Sequence, residues 1–136
     1  MSCDEGYFIP IPNLHRSVLL CIDDNPAELR LRARVLFNAG YAVLTATNGA
    51  AGLHLFTHNH IDLVISDHVL QDVPGAHLIA EMRRIKPGVP FLMLSGLQNC
   101  PQGAEEADVF ITKGMSPPEL IGAIGKLLNS EPAVGR

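Results

Sequence analysis

The sequence predicts an α/β domain built on a parallel central sheet. Three observations carry that prediction. Short apolar runs rich in Val, Ile and Leu recur along the 136 residues, each the length of a strand. Stretches of helical period separate them, so strands and helices alternate. The runs are apolar throughout instead of alternating with polar residues, as strands covered on both faces are.

Residues 1–16 contain Pro10 and Pro12 and show little periodicity, which predicts an extended or disordered lead-in. Residues 17–22 form the first strand and end on Asp23-Asp24. Asn25 is placed to cap the next helix, with Pro26 in its first turn. Leu31, Val35 and Ala39 recur at helical spacing and are expected to face the core. Arg30, Arg34 and Asn38 share another face, a solvated one, and Glu28 can pair with Arg32 four residues on. Gly40 stops the helix.

Residues 41–46 form the second strand. Asn48 caps a helix running to about residue 58, anchored by Leu53 and Phe56 and weakened by Gly49 and Gly52. His54 and His58 lie four apart, with His60 and Asp62 nearby; exposed helix histidines are preferred here over a metal pair. Residues 61–67 form the third strand, ending on Ser66-Asp67. After the loop 68–75 comes a helix with Leu78, Ile79, Met82 and Ile85 on its apolar face, ended by Lys86-Pro87-Gly88. Residues 89–94 form the fourth strand and end on Ser95-Gly96. The stretch 97–107 is interrupted by Pro101 and Gly103. Residues 108–112 form the fifth strand and end on Lys113-Gly114. Ser116 and Glu119 make a capping box with Pro117 at the first helical position. Leu120, Ile121, Ile124, Leu127 and Leu128 are that last helix's apolar face. The domain is thus expected over 17–129, with a polar tail at 130–136 and no effector module after Leu128. That leaves a stand-alone unit or a piece of a longer protein.

Composition narrows the function classes. With 14 acidic and 10 basic residues the net charge is −4, which argues against direct binding of nucleic acid or an anionic membrane. Cys3, Cys21 and Cys100 are odd in number and scattered, fitting neither a disulfide framework nor a zinc site. No apolar run spans a bilayer, and Asp4 and Glu5 stand where a signal peptide carries positive charge, so a cytoplasmic location is expected.

The chemistry collects at the carboxyl ends of the strands, where parallel sheets carry their sites. These ends bring Asp23 and Asp24, Asp67, Ser95 and Lys113 to one edge. Three carboxylates together repel and call for a cation; hard oxygen ligands suit a partly hydrated Mg²⁺. A lysine and a small hydroxyl beside it make a receptor for a phosphoryl group, and a central carboxylate is a nucleophile able to form an acyl phosphate.

On the stretches VLLCIDDNP, AGYAVLTATNG, DLVISD, PFLMLSG and DVFITKG, residues 18–128 resemble the receiver domain of bacterial two-component response regulators. The resemblance implies a flavodoxin-like doubly wound sheet of five parallel strands, order 2-1-3-4-5, with helices on both faces. It implies that Asp67 accepts a phosphoryl group from a histidine kinase or a phosphotransfer protein. It implies that Asp23, Asp24, Asp67 and the carbonyl of Val69 hold Mg²⁺, that Lys113 contacts the phosphoryl group, and that Ser95 and Phe110 form the switch pair. The expected output is a protein-interaction surface over 97–128, for a downstream target or a second copy. Such a domain is a signalling switch with partial self-catalysis, not a turnover enzyme. Two positions depart from the family pattern: Gln71 stands where a proline is usual, and Gly114 follows the lysine in place of proline.

Three other readings compete. A degenerate receiver used only for protein binding is disfavoured by the intact Asp23, Asp24, Asp67, Ser95 and Lys113. A haloacid-dehalogenase-type phosphatase would need an acidic residue at position 69, which is Val. A flavodoxin would need a phosphate-cradling loop after the first strand, where Asp23-Asp24 repels phosphate.

Overall fold

Parallel pairing joins β1 (Val18–Ile22), β2 (Ala42–Ala46), β3 (Leu63–Asp67), β4 (Phe91–Ser95) and β5 (Val109–Thr112) into one sheet of order 2-1-3-4-5. The computed structural model describes residues 16–96 and 107–129. The four described helices are α1 (Pro26–Asn38), α2 (Gly49–His58), α3 (Gly75–Ile85) and α4 (Pro117–Asn129). The lead-in before residue 16, the stretch 97–106 and the tail from 130 lie outside the described residues.

Alternation along the strands divides the core in two. Leu20, Ile22, Val64, Phe91 and Met93 pack with Phe56 of α2 and Ile79 and Met82 of α3. Leu19, Cys21, Leu63, Ile65, Leu92 and Leu94 pack with Leu29 and Leu36 of α1 and Leu120 and Ile124 of α4. Helices therefore cover both faces, and every side chain of β3 and β4 is buried. Burial pushes the Cys21 thiol up to about 12, so it is a packing residue and not a nucleophile.

The caps follow the sequence. Asn25 accepts from the Ala27 and Glu28 N–H groups at 3.0 and 3.1 Å, and Asn48 from Ala51 N–H at 2.8 Å. Glu119 accepts from the Ser116 N–H at 2.9 Å, closing the capping box. Gly40 follows α1 with a left-handed φ of 105°.

The expected core stripe of α1 is wrong in phase. Leu31 is 66% exposed and Ala39 is exposed, whereas Leu29 and Leu36, seven residues apart, are buried. The correct stripe is rotated by roughly a third of a turn, and Arg32 lies on its flank. Ile85 at the end of α3 is also largely outside the core. His54 and His58 stack, with 4.3 Å between ring centroids, and His58 Nδ1 bonds to the His54 carbonyl. His60 pairs with Asp62, whose other oxygen accepts the Val18 N–H, so these groups fix the start of β1.

The corrected phase predicts unequal costs for two leucines on one helix. Leu36→Ala should destabilise the domain by about 2–5 kcal/mol, and Leu31→Ala by no more than about 0.5 kcal/mol. Urea midpoints of the two variants check this; equal losses would contradict the observed packing.

Candidate functional site

Each strand places its chemistry at its carboxyl end. β1 delivers Asp23, fully buried, and half-buried Asp24; β3 delivers Asp67, buried, as its last residue. One oxygen from each lies within 4.8 Å of the others. β4 ends on buried Ser95, whose carbonyl accepts the Lys113 N–H at 2.7 Å. That bond anchors Lys113 just past β5.

The Lys113 ammonium is the hub. Its Nζ donates to Glu28 Oε1 at 2.9 Å and to Asp67 Oδ2 at 3.2 Å, and lies 3.5 Å from Asp23 Oδ2. Arg32 donates from Nη1 to the same Asp23 oxygen at 3.0 Å. Asp23 Oδ1 accepts the Asn25 N–H at 2.9 Å. The carboxylates respond in opposite directions. Burial disfavours the Asp23 anion, but the Asn25 N–H and Arg32 outweigh it and hold its pKa below the ordinary carboxylate value. Burial dominates at Asp67, and with Asp23 nearby it keeps the pKa above the ordinary value despite Lys113. Burial lowers the Lys113 pKa less than Glu28 and Asp67 raise it, so it stays firmly cationic.

The loop after β3 is shaped by close approach. A Cβ at Gly75 would collide with the Asp67 carbonyl oxygen and stand 3.0 Å from His68 Cα. The Gly75 N–H donates to the His68 carbonyl at 2.9 Å, closing the loop on itself. Val69 is 63% exposed at its tip, and its N–H bonds to Asp67.

Of the residues expected at the site, Asp23, Asp24, Asp67 and Lys113 come together. Ser95 ends the neighbouring strand, in register with Thr112. Phe110 is half-buried against the core cluster on the α2–α3 side. Glu28, Arg32 and Gly75 were not expected in these roles, nor was Asp72 expected to accept the Gly49 and Ala50 N–H groups. Glu28 and Arg32 were assigned only to each other; that contact is present but long, 4.0 Å.

The acidic trio suits a divalent cation: three hard oxygens, two of the carboxylates buried, and more negative than positive charge nearby. Asp23, Asp24 and Asp67 are the residues that would hold Mg²⁺. Among the described residues this is the one cluster of this kind.

Comparison with known proteins agrees. The family profile described as response regulator receiver domain matches residues 19–125. The transcriptional regulatory protein GlrR of Escherichia coli (strain K12) is 37% identical over 120 residues, covering 85% of this chain and 27% of GlrR. The chain thus spans about a quarter of that relative's length. A CheY-like response regulator receiver domain protein from Methanospirillum hungatei JF-1 shares the fold, with TM-score 0.81 at 24% identity over 86% of this chain and 97% of that one. The response regulator TrrA of Thermotoga maritima, solved in complex with Mg(2+)-BeF, has TM-score 0.78 at 28% identity over 82% of this chain and 99% of its own.

The opposed pKa directions set the sign of a stability test. Asp23, depressed, contributes stability above the unfolded carboxylate pKa and loses it as pH falls through its folded value. Asp67, raised, costs stability when ionised, and that cost disappears as pH falls through its folded value. In metal-free buffer at pH 7, Asp67→Asn should raise stability by on the order of 1 kcal/mol or less, solvent screening included. Asp23→Ala should lower it by about 1–3 kcal/mol. Urea unfolding of both variants decides it; destabilisation by Asp67→Asn would contradict the assigned direction.

Proposed function

The chain belongs to the response regulator receiver family, and on that premise we propose that it is a phosphorylatable switch with Asp67 as acceptor. The observation that carries the reading is the Lys113 ammonium 3.2 Å from Asp67 Oδ2 beside the acidic trio. The receiver unit is assigned to residues 17–129, in the cytoplasm. No described helix is long and apolar enough to cross a membrane.

In the proposed step an Asp67 carboxylate oxygen attacks the phosphorus of a phosphohistidine on a kinase or phosphotransfer protein. The new O–P bond forms as the P–N bond breaks, and the imidazole leaves with its electron pair. Acetyl phosphate is an equivalent donor, losing acetate. Mg²⁺, held by Asp23, Asp24, Asp67 and the Val69 carbonyl, would neutralise phosphoryl oxygens; TrrA's Mg(2+)-BeF complex supports this. Lys113 supplies the protein's own positive charge at the same oxygens, and Ser95 a hydroxyl to bond one of them. The raised pKa of Asp67 marks an anion whose charge is not fully compensated, which favours a nucleophile. Reorientation of Ser95 and Phe110 would pass the signal to the surface over 97–128, where a target protein or second copy docks. The chain thus acts as a signalling domain that assists its own phosphorylation and hydrolysis.

Acetyl phosphate with Mg²⁺ should add one phosphoryl mass to the wild type and none to Asp67→Asn. Beryllofluoride should change amide exchange across 97–116 as well as around Asp67. Mass addition to Asp67→Asn would overturn the acceptor assignment, and exchange changes confined to the loop after β3 would overturn the surface.

Val69 is the exposed side chain nearest in sequence to the acceptor on its loop, and it offers nothing to orient an attacking water. Leu97, which the family resemblance places on the other flank of the phosphoryl group, lies outside the described residues. Val69→Asn should therefore shorten the acyl-phosphate lifetime severalfold, measured by loss of the phosphoryl mass in donor-free buffer. An unchanged or longer lifetime would refute the role of Val69.

A further inference from the structure

We propose that Arg32 is an internal counter-cation of the acidic cluster. It occupies Asp23 in the metal-free protein and passes to Glu28 when a divalent cation binds, which releases Lys113 for Asp67. The inference rests on the assignment of Asp23, Asp24 and Asp67 as the metal-holding set.

Arg32 is part of the site by construction. Its side chain is 12% exposed and its Nη1 lies 3.0 Å from Oδ2 of Asp23, whose side chain is inaccessible to solvent. Lys113 Nζ stands 3.5 Å from the same oxygen, while Asp23 Oδ1 already accepts the Asn25 N–H. A metal ion sharing Asp23 therefore meets two resident cations at Oδ2, and like charges repel. One of them must yield. Lys113 is held elsewhere by Glu28 and Asp67. Arg32 has one further carboxylate within 4.0 Å, Oε1 of Glu28.

That oxygen is the same atom that Lys113 bonds at 2.9 Å. Glu28 is thus a relay point with one cation bound and another waiting. Arg32 needs to close only about 1 Å to reach charge-assisted hydrogen-bond distance of it. The planar guanidinium, with several donors, can turn from one carboxylate to the other about its own stem. Once Arg32 neutralises Glu28, Lys113 loses its shortest tie and its charge concentrates on Asp67, where the incoming phosphoryl oxygens need it. Metal binding and readiness of Lys113 are then coupled, and the coupling is reciprocal. Arg32 also lowers metal affinity in the resting protein, so the cluster of Asp23, Asp24, Asp67 and Glu28 is quiet without its metal.

The test is Mn²⁺ binding to the unphosphorylated full chain, followed by the electron paramagnetic resonance signal of free Mn²⁺. Arg32→Met removes the cation and keeps the stem; Arg32→Gln serves the same purpose should the methionine variant misfold by circular dichroism. Either should bind Mn²⁺ at least fivefold tighter than wild type, and Arg32→Lys within about twofold of it. Glu28→Gln should weaken binding in wild type and do so severalfold less in the Arg32→Met background, because the receiving partner no longer matters. Affinity of the neutral variants equal to or weaker than wild type overturns the counter-cation, and additive effects of the two substitutions overturn the relay. Asp24→Asn is the control for the underlying site: if it leaves Mn²⁺ affinity intact, the metal-holding assignment fails, independently of Arg32.

Discussion

Three carboxylates within 4.8 Å of one another form the constraint to which the rest of this domain is fitted. At an effective dielectric near 20, each pair of charges at that distance repels by about 3 kcal/mol. Summed over the trio this rivals the whole stability of a small domain, roughly 5–15 kcal/mol. Lys113 and Arg32 offset it, and they do so unequally. Both face Asp23, which also has the Asn25 N–H, while Asp67 has Lys113 and a loop N–H. The consequence is one carboxylate held comfortably as an anion and another held under strain. The two neighbouring carboxylates thus differ in how fully their charge is compensated.

The same constraint explains the shape of the loop after β3. Asp67, the last residue of β3, must stay at the sheet edge while the chain turns into α3, and only a residue without a side chain fits at Gly75. Farther along, Asp72 accepts the Gly49 and Ala50 N–H groups at 2.8 and 2.9 Å. The backbone donors hold the Asp72 pKa below the ordinary carboxylate value. At the other end of α2, Lys86 donates to the Phe56 and Asn59 carbonyls at 2.6 and 2.9 Å. Ten residues with two glycines make a weak helix on propensity alone. α2 is held because the β3–α3 unit supplies an anion at its positive end and a cation at its negative end. The loop that carries the acceptor is therefore tied mechanically to a neighbouring helix.

Much of this was legible in the sequence because strands and caps have local signatures. The apolar runs at 17–22, 61–67 and 89–94 read as buried strands, and Asn25, Asn48 and the Ser116–Glu119 box each marked a helix start that the structure reproduces. Parallel strands then place their last residues on one edge without further information, which is why Asp23, Asp24, Asp67 and Lys113 were all accessible. Gly75 and Asp72 were not, since their roles depend on contacts with His68, Asp67 and the start of α2 that no local pattern announces.

The error on α1 has a more specific cause. α1 carries Leu29, Leu31, Val35, Leu36 and Phe37 nearly all round, so its hydrophobic residues define no single stripe. At about 3.6 residues per turn Arg32 lies on the flank of either stripe, so the helix pattern alone does not decide which neighbours it meets. The structure sets Arg32 against Asp23 and Glu28 against Lys113, partners that lie outside the helix and that no pattern within it announces. The residues that define the family chemistry come from strand ends, where position follows from topology. The charges beside it, Glu28 and Arg32, come from a helix flank, where the partner is set by how the helix packs against the strand ends. Topology therefore makes the strand-end carboxylates and Lys113 readable from the sequence, whereas Arg32 and Glu28, which the sequence pairs only with each other, find their nearer partners through packing across elements.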